Sequence, residues 1–161
     1  MGLAQIDLLE NKIDDAAARL GTVLRMRQLL SGDSLVQALW LQALIESRRG
    51  NIDQALDLAR DARRKAKLTG IADSEADACR ALGTIYRTAG RLDDAKVVLE
   101  ESLTLSRKCN DPYRRALAEL ELAQVLRDPA RTSSAISVFK RLGAKYDLTR
   151  AKFGMSPAAK M

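Results

Sequence analysis

The stretch ALGTIYRTAGRLDDAKVVLEESL, running from Ala81 to Leu103, decides the fold. Within it Gly83, Gly90 and Ala95 are set among Leu82, Tyr86, Leu92 and Leu99. Small residues at such intervals mark places where helices approach closely, because ridges sink into a neighbour's grooves only where side chains are short. A shift of 40 residues either way lays Ala95 on Ala55 and Ala135, and Gly83 on Ala43 and Ala123. The same shift lays Gly90 on Gly50 and Ala130, and Leu99 on Ala59 and Phe139. A further step of 39 upstream reaches Ala4 from Ala43, Ile13 from Ile52, Ala16 from Ala55 and Leu20 from Ala59. Two positions are therefore small in all four copies: Ala4, Ala43, Gly83 and Ala123, and then Ala16, Ala55, Ala95 and Ala135. Repetition at this period is the mark of a stacked array of supersecondary units.

Each copy reads as two antiparallel helices. They turn at Asn11, Gly50 or Gly90, residue types that accept a left-handed backbone. Asp33/Ser34, Asp73/Ser74 and Asp111 are the N-cap candidates, and Pro112 suits a first helical position. The expected helices cover residues 3–10, 13–30, 34–49, 52–68, 74–89, 92–108, 112–127 and 132–142. A last short helix at 144–153 is expected to cap the final hairpin, with a flexible tail at 156–161. The fold class is thus all-α, a right-handed α-solenoid of four hairpins in one domain over residues 1–155. The repeats fall near 1–31, 32–71, 72–111 and 112–143.

The bulk numbers agree with a helical domain and exclude several functions. The chain has 161 residues, of which 47% are hydrophobic and 30% charged, with only 3 prolines and 4% aromatics. An ordered core built mostly from Leu, Ala, Val and Ile follows. Histidine is absent, which removes the commonest general base and metal ligand. No phosphate-loop, dinucleotide or zinc-protease motif occurs, so neither enzyme activity, a cofactor nor a metal is expected. Cys79 and Cys109 lack metal or redox spacing, and two cysteines are too few for a disulfide scaffold. With no apolar run of membrane length and no signal peptide at Met1–Lys12, a cytoplasmic protein without membrane contact is expected.

Leu82-Gly83-x-x-Tyr86, followed by Gly90, Ala95 and Leu99, resembles the tetratricopeptide repeat. Cys79 stands where that family usually has Trp, Ser102 replaces an expected alanine, and the closing proline is missing. The unit of about 40 residues also exceeds the family's ~34. The chain resembles the longer-unit variety found in helical arms of bacterial regulators and signalling ATPases. Gln42 and Glu46 in the second copy and Asp7 in the first depart from its apolar pattern.

The resemblance implies that first helices line a concave surface. It assigns there Gln37, Trp40, Leu44, Ser47 and Arg48 in the second copy. In the third it assigns Asp77, Arg80, Thr84, Arg87 and Thr88, and in the fourth Leu117, Leu120, Gln124, Arg127 and Asp128. Rows spaced by 40 then run Trp40–Arg80–Leu120, Leu44–Thr84–Gln124 and Ser47–Arg87–Arg127. Apolar contacts and arginines suit an extended or helical peptide with an acidic element. Trp40 has two readings, an exposed anchor or a packing residue between hairpins.

The functional expectation is a protein-interaction scaffold that binds a protein or peptide in the groove. The alternative is the regulatory arm of a larger signalling ATPase or transcription regulator. A third is nucleic-acid contact through Arg60, Arg63, Arg64 and Lys67, which share one helix face by their spacing. That reading is disfavoured, because no aromatic residue interleaves to stack a base and the net charge of +6 is spread among 21 acids. The first helix begins almost at its core position, Leu3, so its uncovered side is expected to meet a preceding domain or a second copy of the chain.

Overall fold

The small residues at the four repeated positions lie between helices. Ala16, Ala43, Ala55 and Ala95 are fully buried, and Ala4, Ala123 and Ala135 are 1–2% exposed. Gly83 is buried as well, and a Cβ built there would stand 2.5 Å from Leu99 Cγ, inside any allowed contact. These are properties of a computed structural model of the chain, which describes residues 2–153.

Nine α-helices are present among the described residues. They are α1 (Gly2–Leu9), α2 (Ile13–Arg25), α3 (Gly32–Arg48), α4 (Ile52–Thr69), α5 (Ala72–Thr88), α6 (Leu92–Lys108), α7 (Pro112–Leu126), α8 (Pro129–Leu142) and α9 (Lys145–Phe153). Every helix packs on the next in sequence, and α1 also touches α3, α3 touches α5, and α5 touches α7. The odd-numbered helices α1 to α7 therefore form one row. No helix among the described residues is long and apolar enough to cross a membrane.

Three apolar clusters hold the helices together. The first gathers Ala4, Leu8, Ala16, Leu20, Val36, Trp40 and Leu41, and reaches Ala78 and Ala81 of α5. The second joins Ala55 and Ala59 to Leu82, Tyr86, Leu99 and Leu122. The third centres on Phe139 with Leu117, Leu120, Ala135 and Ala151. Of the departures from the repeat pattern, Gln42 is half-buried, while Asp7, Glu46 and Ser102 are buried polar residues with partners. Asp7 pairs with Arg19 at 2.6 Å, and Glu46 accepts from Asn51 Nδ2 at 2.7 Å. Ser102 donates to the Ala76 carbonyl at 2.8 Å, tying α6 to α5.

The expected boundaries hold in part. Asn11, Gly50 and Gly90 have the positive φ expected of them, at 61°, 87° and 74°. The second helix stops at Arg25 and continues only as a 3-10 turn over Arg27–Leu29, not to residue 30. The third begins two residues early, capped by Ser31, whose side chain accepts from Ser34 N at 3.2 Å. The fifth also begins early, at Ala72, which leaves Ser74 inside the helix and buried. The largest difference is in the last hairpin. The turn falls at Arg127, in the left-handed region at φ 53°, where the expected helices left residues 128–131 as the connection. Asp128 caps α8 by accepting from Ala130 N and Arg131 N, and Pro129 takes the first helical position. The shift of 40 holds for the packing positions but not for the turn, because α7 is shorter and α8 starts three residues early. The tail at 156–161 lies outside the described residues.

Candidate functional site

The row of odd-numbered helices gathers most of the residues expected to line a groove, but not in the expected way. Trp40 is only 4% exposed and packs in the first apolar cluster, so it is a packing residue and not an exposed anchor. Leu120 is 1% exposed, covered with Leu117 by Ala151 and Leu148 of α9. Leu44 is half-buried between the first two clusters. Gln37, Thr84 and Gln124 are half-buried, and Thr84 spends its hydroxyl on the Arg80 carbonyl at 3.0 Å. Arg127 is exposed and serves as the C-cap of α7, so it does not continue the Arg87 row.

The arginines of α5 turn inward. The side chains of Arg80 and Arg87 are only 13% and 16% exposed. Arg87 lies 3.4 Å from Glu121 of α7, whose side chain is 4% exposed. Arg150 of α9 stands 3.4 Å from the other oxygen of the same carboxylate. Burial pushes the Glu121 carboxyl up, but Arg150, Arg87 and Arg80 outweigh it and hold it below its ordinary value. Glu121 is therefore a charged carboxylate paired with Arg87 and Arg150, with the charge of Arg80 adding to its stabilisation, as a buried ion needs.

Around this centre the charges pair off. Asp77 lies 3.1 Å from Arg114 and 3.8 Å from Arg80. Arg114 also meets Asp111 at 2.6 Å. Arg48 is exposed and donates to Asn11 Oδ1 at 3.2 Å. Although its side chain reaches solvent, neighbouring protein partly desolvates the guanidinium and lowers its proton affinity, and Arg150 and Arg87 lower it further. Arg48 thus belongs to the same electrostatic neighbourhood.

Helix α9 sits on this row. Asp147 accepts from the Tyr113 hydroxyl at 2.9 Å, and burial together with that carboxylate pushes the Tyr113 phenol up to about 12. Tyr146 donates to the Leu9 carbonyl at the end of α1. The last helix thus touches both the seventh and the first, where only a cover for the final hairpin was expected.

Glu121, Tyr113, Arg114, Tyr146, Asp147 and Arg150 were not among the expected site residues. One signal was available. The positions 40 and 80 residues before Glu121 are Ala81 and Leu41, both fully buried. A carboxylate at an otherwise apolar repeat position needs a buried counter-charge. Nothing comparable marks Arg150.

The basic strip of α4 is neutralised. Arg63 pairs with Glu101, Arg64 with Asp61 at 2.5 Å, Arg60 with Asp57 at 3.4 Å, and Lys67 with Glu101 at 3.3 Å. Arg60 also lies 5.8 Å from the Tyr86 ring centroid. Each cation of this strip thus lies within salt-bridge distance of an acid, in pairs of the weak, solvent-exposed kind.

No family model matches the chain, and no curated protein matches it. Among solved structures it is similar to BtubC (BKLC) from P. vanneervenii, with a TM-score of 0.65 and 21% sequence identity. The likeness covers 84% of this chain and 58% of that one, so the chain spans less than two thirds of that protein's length. At this identity the likeness concerns the fold alone.

Proposed function

We propose that the chain is a non-enzymatic protein-interaction scaffold, a right-handed α-solenoid of four hairpins of the tetratricopeptide type. In this reading the odd-numbered helices line its concave face, and that face holds a protein or peptide segment with an acidic element. The observation that carries it is the row α1–α3–α5–α7, which brings Arg48, Arg80 and Arg87 into one neighbourhood where a helix already docks. A surface that accepts a helix and carries guanidinium groups suits carboxylate recognition, since arginine binds carboxylates through paired, directional donors. The repeat of small residues, buried throughout, supports the tetratricopeptide comparison.

The test is a pull-down from the source cells with the intact chain and with an Arg48→Ala/Arg80→Gln variant of unchanged circular dichroism. The reading expects a partner captured by the first and lost by the second. Equal capture by both removes the odd-numbered helices as the binding face.

Self-association has its own observation. On α1, Leu3, Ile6 and Leu9 are 62%, 50% and 37% exposed, an apolar stripe on the first helix. Sedimentation of the wild type against Leu3→Lys/Ile6→Lys tests it: a dimer lost in the variant supports association through α1, and a wild-type monomer at high concentration refutes it.

A further inference from the structure

Positive charge is left unmatched where α6, α7 and α8 meet. A cavity of about 340 Å³ opens between the end of α6 and the start of α7, with Arg107, Arg115, Arg141 and Asp111 in its walls. A second, of about 150 Å³, adjoins it and shares Arg107 and Arg115. Its other walls include Glu119, Ala116, Ala135 and Val138. Both acids are already engaged. Asp111 caps α7 by accepting from Tyr113 N and Arg114 N, and it pairs with Arg114 at 2.6 Å. Glu119 pairs with Arg131 at 2.7 Å and lies 3.8 Å from Arg107. Among the described residues, the exposed side chains of Arg115 and Arg141 have no acid within salt-bridge distance.

Helix ends account for two of these cations and not for the third. Arg107 and Arg141 stand in the last turns of α6 and α8, where a positive charge complements the helix dipole. Arg115 stands one turn into α7, near the end where the dipole repels a cation, and the first turn of α7 holds no acid. Its neighbour Arg114 sits at the same end and meets Asp73, Asp77 and Asp111. Arg115 has no such compensation within the chain, and an anion in the cavity would supply it.

We infer that the two cavities form one site for a phosphoryl group carried on the side chain of a partner peptide. A phosphorylated serine or threonine brings a charge of about −1.5 to −2 and three acceptor oxygens, which suits guanidinium groups drawn from three helices. Arginine binds phosphate through paired, directional donors. The larger cavity falls within the usual size of ligand pockets, and a bare phosphate fills only part of it. The apolar wall of the smaller one, Ala116, Ala135 and Val138, receives an aliphatic side chain next to the phosphorylated residue. No aromatic residue lines either cavity, so nothing there stacks a nucleotide base. The site uses none of Arg48, Arg80 and Arg87, so it stands or falls apart from the proposed groove.

The experiment follows the fluorescence anisotropy of a labelled five-residue peptide with phosphoserine between two valines. It is titrated with the full chain, with an Arg115→Gln/Arg141→Gln variant, and with a charge-matched Arg27→Gln/Arg64→Gln variant. All four arginines are exposed, so the substitutions leave the core intact. The expected result is equal binding to the wild type and the charge-matched variant, and at least ~10-fold weaker binding to the cavity variant. The unphosphorylated peptide should not bind, and inorganic phosphate should compete only at concentrations well above the peptide's dissociation constant. Equal binding by all three chains, or none by the wild type, overturns the site. Equal binding of the unphosphorylated peptide overturns the phosphoryl group as the ligand. Competition by phosphate at the peptide's own concentration overturns the peptide as its source and leaves a site for the free ion.

Discussion

Gly83 offers the sharpest test of packing between the paired helices. It lies in the middle of α5, where glycine costs roughly 1 kcal/mol relative to alanine in helix propensity. If the site were roomy, Gly83→Ala would stabilise the protein by that amount. The structure leaves no room. A Cβ would stand 2.5 Å from Leu99 Cγ, 2.7 Å from Leu99 Cδ2 and 3.2 Å from Val98 Cγ2. Leu99 is fully buried and Cγ is its branch point, so it cannot swing aside as the tip of a long side chain could. Overpacking of this sort costs about 1–3 kcal/mol. The net expectation is a loss of about 1 kcal/mol, or roughly 2–4 °C in Tm for a domain of this size. Leu99→Ala alone should cost about 2–5 kcal/mol through the cavity it leaves. Combining the two should cost less than their sum by about 1–2 kcal/mol, because the alanine at 83 enters the space that Leu99 vacates. Urea unfolding followed by circular dichroism at 222 nm measures all four corners of this cycle. A Gly83→Ala protein that gains stability, with no coupling to position 99, would refute the close approach of α5 and α6.

Other expectations follow from the buried charges, caps and thiols. Glu121 titrates below its ordinary value in the fold, so the unfolded chain takes up that proton first. Its stabilisation is complete above the unfolded value and drains away as pH falls through the folded one. The Tm difference between wild type and Glu121→Gln should therefore be widest near neutral pH and shrink in acid, whereas a constant offset would count against the arginine cluster. Asp128→Ala should cost about 1 kcal/mol through the lost cap of α8, and Asp128→Asn much less; equal losses would point to the Arg131 ion pair at 3.3 Å instead. Burial pushes the Cys79 thiol up to about 12, while a hydrogen bond to Asp73, then burial, raises half-buried Cys109 to about 11. Ellman's reagent should therefore modify Cys109 slowly in the native protein and Cys79 only on unfolding; two thiols reacting at one rate would contradict the burial of Cys79.

Much of the architecture was legible because it repeats. Ala16, Ala55, Ala95 and Ala135 are small for a reason that acts four times, so a shift along the sequence exposes it. The turns were legible where chemistry forces them, at Asn11, Gly50 and Gly90. The turn at Arg127 was not, because an arginine gives no sign of left-handed backbone. The pair Asp128-Pro129 did give a sign, the same one read correctly at Asp111-Pro112. The site was less legible than the fold. The resemblance places Arg80 and Arg87 in separate rows of one helix face, but it does not say that both turn inward or that Arg87 meets Glu121. The docking of α9 depends on Tyr146, Asp147 and Arg150 meeting residues up to 137 positions away, a contact that no local pattern encodes.

The central claim is that the odd-numbered helices form the surface that recognises an acidic segment. Nuclear magnetic resonance of the labelled chain during titration with a short acidic helical peptide tests it most directly. Shifts should concentrate on α3, α5 and α7, with the side-chain Nε signals of Arg80 and Arg87 among the largest. Shifts confined to α4, α6 and α8 would contradict it.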